Sequence, residues 1–449
     1  MKRKLYSPPK RKIFRKGEWY LFYDPINVKW VKVNQAGKEI LLTLEKFPFL
    51  EDAITKLKNR FQINEDSILQ FVENLLNANY LQLERYNIIR INFVKRIYPH
   101  SIYLHPTYKC NLECLYCYNS KERKKYLCRN NYTELTLKEY KRLLIDAKEI
   151  GVRTLIFTGG EPLVREDLFS IAEFSKSLGF YNSLITNGTL VSPQNAKTLC
   201  SLFDNISISI DSYKEIENDE MRGKGTFEKA IKAIKILKNL NGNVSCLGVA
   251  HKGNIDSLLD SWDYFVRELG CNSFLPQFLI PNNKNSTTFL SNKNMKMLIK
   301  KYGMIRSKIN RLNGINQIGL RNSCGMCSGE IAIGADGSVF PCQSLLKEEF
   351  CGGNVRQMPL KNILRESLVF KELRNLSVEN LEGCSKCEFK YLCGGGCRAV
   401  YYGVFKDLKK TFKLFCSCNK RIIVESMWES TAPAKGGLNE AKDKIDGCF

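Results

Sequence analysis

The sequence predicts an α/β protein centred on a partial (β/α)6 barrel. Three observations carry this. Six short, almost wholly apolar runs alternate with helical patterns between residues 100 and 315, a hairpin and three helical stretches precede them, and a cysteine- and glycine-rich stretch follows.

Before the barrel, residues 18–33 alternate in strand fashion, with Trp19, Leu21 and Tyr23, then Val28 and Trp30, around a turn at Asp24-Pro25. That pattern is a hairpin. Helical stretches follow at about 37–46, 51–61 and 65–78. In the last, Ile68, Phe71, Val72 and Leu75 share one face behind Asn64 as a cap. A hairpin with three helices makes a winged-helix-like module over 17–95; it holds no cysteine, so the reaction chemistry lies elsewhere.

Strands are expected at 101–107, 154–160, 182–188, 206–211, 244–250 and 274–280. One intervening helix opens with Thr136 and Glu139 in capping-box spacing, and another carries Phe227, Ile231, Ile234 and Leu237 on one side. Strands apolar on both faces belong to a parallel sheet covered by helices. Such sheets react at the carboxyl ends of their strands.

No apolar run reaches the roughly 20 residues of a membrane span. Residues 1–16 hold eight Lys or Arg and no acid, a basic tail without the apolar stretch of a signal peptide. The chain is expected in the cytoplasm, away from membranes. Eighteen cysteines in that setting read as metal ligands rather than disulfides. The formal net charge of +23 implies an acidic partner, a peptide or nucleic acid, unless it marks only a lysine-rich surface.

Cys110, Cys114 and Cys117 form C-x3-C-x2-C directly after the first barrel strand. Three soft thiolates on a short loop suit an iron–sulfur cluster with one iron left open, whereas a zinc module would carry paired C-x2-C elements. In this spacing, and in Tyr116 before the third cysteine, the sequence resembles the radical S-adenosylmethionine (SAM) superfamily. The resemblance implies a radical SAM barrel in which a 4Fe-4S cluster cleaves SAM to a 5'-deoxyadenosyl radical, chemistry that the cofactor supplies. It also implies that Gly159, Gly160, Glu161 and Pro162, at the end of the second strand, bind the SAM amino group. Asn187, Ser209, Asp211 and Arg222 fall where members of that family contact SAM ribose or carboxylate, although Asn and Asp after strands also serve as turn residues. Nothing in the sequence picks out a catalytic group beyond these.

Downstream, Cys327, Gly337 and Cys342 are followed by Cys384, Cys387, Cys393 and Cys397 and then Cys416, with Cys324 as an eighth thiol. This resembles the SPASM signature and implies a SPASM domain over 316–425 with two auxiliary 4Fe-4S clusters. The ligand sets implied are Cys324, Cys327, Cys342 and Cys397, and Cys384, Cys387, Cys393 and Cys416. Cys418 is an alternative to Cys416, and ligation by only one of Cys324 and Cys327 would leave an open iron. Residues 426–449 read as a flexible tail.

SPASM enzymes mostly act on peptides, and the module at 17–95 resembles the leader-recognition domain of ribosomal-peptide maturases of the sactipeptide and ranthipeptide type. The resemblance implies a precursor peptide that adds a strand to the hairpin, a radical-derived cross-link such as a thioether, and an electron donor such as flavodoxin or ferredoxin. The alternatives are a sulfatase-type formylglycine maturase and a non-catalytic nucleic-acid-binding iron–sulfur protein.

Overall fold

A computed structural model describes residues 2–61, 64–87, 91–93, 96–130, 132–279, 297–298, 300–301, 304–305 and 319–430. The end of the barrel segment, 280–296 and 306–318, and the expected flexible tail from 431 lie outside the described residues.

Strands β1 (Lys12–Lys16), β2 (Trp19–Asp24) and β3 (Lys29–Val33) form an antiparallel sheet in that order. Helices α1 (Gln35–Lys46), α2 (Leu50–Phe61) and α3 (Glu65–Asn77) follow. Asn34 and Asn64 start α1 and α3 by accepting the Gly37 and Asp66 N–H groups at 2.9 and 2.8 Å. Alternation along β2 sends Tyr20 and Phe22 into the helices, against Ile40, Leu44, Leu57, Ile68 and Val72. Leu21 and Tyr23 face the opposite way, onto Phe389, Leu392, Ile423 and Met427 near the carboxyl end of the chain.

The basic tail expected at 1–16 is corrected here. Leu5 is buried, Lys4 and Tyr6 bridge to Phe49 and Gln82, and residues 12–16 are the edge strand β1. The physical reason is that Phe14 finds an apolar partner in Phe389, with ring centroids 6.3 Å apart, while the flanking lysines and arginine stay solvated, as suits a sheet edge.

The central sheet takes β4 (Ser101–Thr107), β5 (Thr154–Gly159), β6 (Tyr181–Thr186), β7 (Asn205–Ser209), β8 (Val244–Ala250) and β9 (Phe274–Phe278) in sequence order, each parallel to the next. The helices of this segment are α4 (Ser120–Leu127), α5 (Leu137–Glu149), α6 (Leu168–Ser177), α7 (Pro193–Leu202), α8 (Glu215–Arg222), α9 (Thr226–Asn239) and α10 (Leu258–Asp263). Ile102, Leu104, Leu155, Phe157, Leu184, Ile206 and Ile208 pack toward the helices, and Tyr103 and Ile156 face the inner side. The capping box forms: Thr136 Oγ1 accepts from the Glu139 N–H at 3.3 Å, and Glu139 accepts from the Thr136 N–H at 2.8 Å.

The cysteine domain is not separate, as the sequence suggests, but continues this sheet. β10 (Glu330–Ile333) runs parallel to β4, Ile331 opposite Ile102, and β11 (Ser338–Phe340) and β12 (Gly353–Asn354) add antiparallel beyond it. Arg356 locks the join, donating to Glu139 at 2.7 Å and to the Glu134 carbonyl at 2.9 Å. This hydrogen bond holds the Glu139 carboxyl down at about 2.

Helices α11 (Leu360–Glu366), α12 (Leu368–Arg374), α13 (Lys390–Cys393), α14 (Arg398–Phe405) and α15 (Lys413–Glu429) complete the chain. The expected boundary at 425/426 is corrected as well, because it cuts α15. Met427 is buried, and the Trp30 indole N–H donates to the Ser430 hydroxyl at 3.2 Å, so the last turn of α15 is held by the amino-terminal module.

That module therefore sits on the cysteine domain, with the Tyr23 hydroxyl donating to the Glu388 carbonyl at 2.8 Å. Leu21→Ala should cost about 2–5 kcal/mol from the cavity it opens. Urea denaturation checks this, and an unchanged midpoint would mean that the contact contributes nothing.

Candidate functional site

The carboxyl ends of the strands meet in a cavity of ≈ 210 Å³ whose wall takes Thr158 from β5, Ile185 from β6, Ser209 from β7, Leu247 from β8 and Gln277 from β9. Five neighbouring strands facing one cavity means that the sheet curls around it. The loop after β4 closes the cavity with Cys110, Cys114, Tyr116 and Cys117.

That loop is held by backbone contact with the glycine turn. The Gly160 N–H donates to the Thr107 carbonyl and the Glu161 N–H to the Lys109 carbonyl, both at 2.9 Å. A Cβ on Gly160 would collide with the Lys109 carbonyl, and Gly159 has φ +119°. Both glycines are thus required by the approach of two protein loops, rather than only by the approach of a ligand, as the sequence suggests.

Glu161 is buried and accepts from the Thr186 hydroxyl at 2.6 Å, the Asn187 N–H at 2.8 Å and the Leu163 N–H at 3.1 Å. It ties the end of β5 to the end of β6, and Pro162 begins the short turn behind it. Burial raises its carboxyl, and these hydrogen bonds oppose the rise. Asn187 donates to the Asn111 side chain at 2.8 Å, reaching the cysteine loop from the other side. Ser209 stands on the cavity wall.

Asp211 lies behind the wall. Its carboxylate accepts from the Tyr116 hydroxyl at 2.6 Å, from Arg222 Nε and Nη2 at 2.9 Å each, and from the Val249 N–H at 2.8 Å. With both oxygens engaged, it orients Tyr116 and Arg222, and those two face the cavity. Contact of Asp211 with SAM itself stays an implication of the sequence resemblance, which these contacts do not test.

All three thiols of the loop are free. Burial pushes the Cys114 thiol up to about 11; Arg222 opposes this, and Cys117 and Cys110 beside it add to it. The later cysteines gather into two groups. Burial raises Cys342, with Cys397 and Cys324 adding to the rise, and Cys327 has Cys324 beside it. Burial pushes Cys384 up to about 11, opposed by Arg398, with Cys416, Cys393 and Cys387 adding. Cys418 is fully buried in the apolar core.

Soft thiols are the donor type that suits iron–sulfur clusters, although among the described residues no three His, Cys, Asp or Glu side chains are placed to hold a single metal ion. Crowding of this kind is unfavourable for thiolates without a metal, since each negative charge raises the pKa of the next thiol.

Several wall residues gave no sequence signal. Gln343 and Ser344, next to Cys342, line the same cavity, so the cysteine domain forms part of it. Tyr118 stands between Cys117 and Cys342. Arg123, from α4, reaches in beside Gly160. Tyr118 and Arg123 follow the cysteine motif closely in sequence, which is the one cue that could have found them. His105 on β4 is fully buried, and neither ring nitrogen has a hydrogen-bond partner among the described residues.

Residues 104–260 match the family model of the radical SAM superfamily, and residues 324–388 match SPASM, an iron–sulfur cluster-binding domain. The chain is 28% identical over 328 residues to an AdoMet-dependent heme synthase of Methanosarcina barkeri, covering 66% of this chain and 90% of the relative. It is 29% identical to a cysteine-type anaerobic sulfatase-maturating enzyme of Clostridium perfringens, covering 64% and 86%, and 24% identical to the mycofactocin maturase of Mycolicibacterium smegmatis, covering 66% and 77%. Among solved structures, anSMEcpe with bound AdoMet superposes with a TM-score of 0.60 at 24% identity, over 73% of this chain and 97% of that one. Streptococcus suis SuiB bound to precursor peptide SuiA superposes with a TM-score of 0.55 at 15% identity, over 89% and 98%. No helix among the described residues is long and apolar enough to cross a membrane.

Burial keeps His105 neutral down to about 3, with the charge of Arg123 adding to the effect. An unfolded histidine protonates near about 6.5, so below that pH the unfolded chain takes up a proton that the folded one refuses. Stability is therefore full above about pH 6.5 and falls toward about pH 3, by up to about 1.4 kcal/mol per unit. His105→Leu should flatten that part of the acid dependence. Urea midpoints of both proteins between about pH 7.5 and 5 test it, and parallel slopes would refute it.

Proposed function

We propose that this radical SAM enzyme, with its SPASM iron–sulfur domain, modifies a ribosomally made precursor peptide and joins it by a thioether or another radical-derived cross-link. The observation that carries the reading is the shared cavity. Three free thiols of one loop face Arg222 and Ser209 across it, and the turn after Cys342 closes its side.

When bound at Cys110, Cys114 and Cys117, a 4Fe-4S cluster with one open iron supplies the electron that splits SAM into methionine and a 5'-deoxyadenosyl radical. In this reading Arg222, held by Asp211 and stacked at 5.5 Å over the Tyr116 ring, receives the SAM carboxylate as a fixed cation. Ser209 and Asn187 offer polar atoms for the ribose, and the turn at Gly159–Pro162 sets the floor near the SAM amino group. The groups Cys324, Cys327, Cys342 and Cys397, and Cys384, Cys387, Cys393 and Cys416, would hold two auxiliary clusters able to accept the electron left by new bond formation. A flavodoxin or ferredoxin would deliver the first electron.

Peptide capture belongs to the amino-terminal module. Among the described residues β3 pairs only with β2, and Val31 and Phe71 beside that edge are only partly buried. A peptide strand added there would gain main-chain hydrogen bonds while its side chains enter the adjoining groove, and tethering would raise its concentration at the cavity. The net charge of +23 suits an acidic leader. Support also comes from the likeness to SuiB, whose structure includes a precursor peptide and matches 89% of this chain. Formylglycine formation is the second reading, favoured by the sulfatase-maturating relative. A non-catalytic nucleic-acid role is set aside, since residues 104–260 carry the radical SAM domain.

Anaerobically reconstituted protein should hold about 12 iron atoms, four per cluster, and release 5'-deoxyadenosine from SAM under strong reductant. The triple change of Cys110, Cys114 and Cys117 to Ala should remove about four of them and abolish that release. Retained release would reject the assignment. With the cognate peptide, mass spectrometry should show the loss of two hydrogen atoms per link; an aldehyde would favour the formylglycine reading. Because the module packs on the cysteine domain, a point change serves better than its deletion. Val31→Glu should weaken peptide binding at least about tenfold by fluorescence titration, and equal affinity would reject strand addition at β3.

A further inference from the structure

Arg123 poses an electrostatic question that the assignments above leave open. It lies on α4, eight per cent exposed, and lines the cavity. Its Nη1 donates to the Tyr108 carbonyl at 3.1 Å, and its buried Nε has no hydrogen-bond partner among the described residues. Among the described residues it takes part in no ion pair with a carboxylate, whereas Arg222 is matched by Asp211 and the neighbouring Glu122 by Lys347. The side chain lies against Gly160, where an added Cβ would come within 2.9 Å of Nη1.

A guanidinium cannot shed its proton to escape burial, and an unpaired buried charge is strongly unfavourable. The cavity is therefore built for an anion. Cys110, Cys114 and Cys117 line the same cavity as Arg123. Three thiolates around a 4Fe-4S cluster carry net negative charge, which grows by one when an electron enters.

We propose that Arg123 is a positioning residue that balances the negative charge gathered at Cys110, Cys114 and Cys117 and so favours the reduced state there. This rests on the reading of those cysteines as cluster ligands. The step it assists is a one-electron transfer: a low-potential flavodoxin- or ferredoxin-type donor is oxidised by one electron, the cluster site is reduced by one, and no atom moves. A fixed cation lowers the energy of the more negative product more than that of the reactant. Lysine would keep the charge but not the planar fork.

The test uses the full chain, reconstituted as wild type, Arg123→Met and Arg123→Lys, with iron and sulfide counted and the first cluster titrated by electron paramagnetic resonance without SAM. Arg123→Met should be reduced only at more negative potential, by the equivalent of at least about a tenfold change in reduced fraction, about 59 mV. Arg123→Lys should stay near wild type. SAM cleavage driven by flavodoxin should fall at least about tenfold in Arg123→Met but remain within about twofold under titanium(III) citrate. An unchanged potential in fully loaded Arg123→Met overturns the proposal, whether or not SAM affinity falls; a fall would assign the guanidinium to the SAM carboxylate. Iron loss in Arg123→Met that Arg123→Lys restores supports the role of charge, and loss in both overturns it. A wild type without any cluster signal from this site would instead defeat the underlying reading.

Discussion

The site depends on one close contact, that of the cysteine loop with the turn at Gly159–Gly160. Two backbone hydrogen bonds of 2.9 Å join them, and the second glycine leaves no room for a side chain against the Lys109 carbonyl. Loops at strand ends are ordinarily free to move, so three thiols on such a loop would not by themselves hold a common position. Glu161 extends the tie to β6, and Asn187 returns it to Asn111. The ends of three strands are thereby bound into a single frame around the cavity.

Charge within this frame is arranged in the same spirit. Asp211 has no exposure and four hydrogen bonds, so it acts through the groups that it holds, Tyr116 and Arg222. Fixed dipoles and cations of this kind act without reorganising. Arg222 and Arg123 differ in one respect: the first has Asp211 as a carboxylate partner, and the second has none among the described residues.

Beyond the cavity, the three parts of the chain are coupled mechanically. β10 joins the cysteine domain to β4, and Arg356 binds it to α5. The amino-terminal sheet packs on Phe389 and Leu392, beside Cys387 and Cys393. A ligand on the free edge of β3 would thus lie one sheet away from the second group of cysteines, with Tyr23 stacked on Phe389 at 5.2 Å between them.

Much of this was legible in the sequence. The six parallel strands were, since apolar runs of four to seven residues report burial on both faces, and so was the capping box at Thr136 and Glu139, because its logic is local. Cysteine spacing, with the resemblance that it carries, marked out the later thiols as candidate ligands. The status of residues 1–16 was hidden, because their lysines and arginines outweigh Leu5 and Phe14 in any compositional view, and the partners of those two residues, Pro48 and Phe389 among them, are distant in sequence. Equally hidden were the role of Asp211, the entry of Arg123 and His105 into the interior, and the continuation of the sheet into the cysteine domain. Local spacing determines which residues can form an element or share a loop; which distant side chain neutralises, orients or buries another is decided only when folding brings separate segments within a few ångströms.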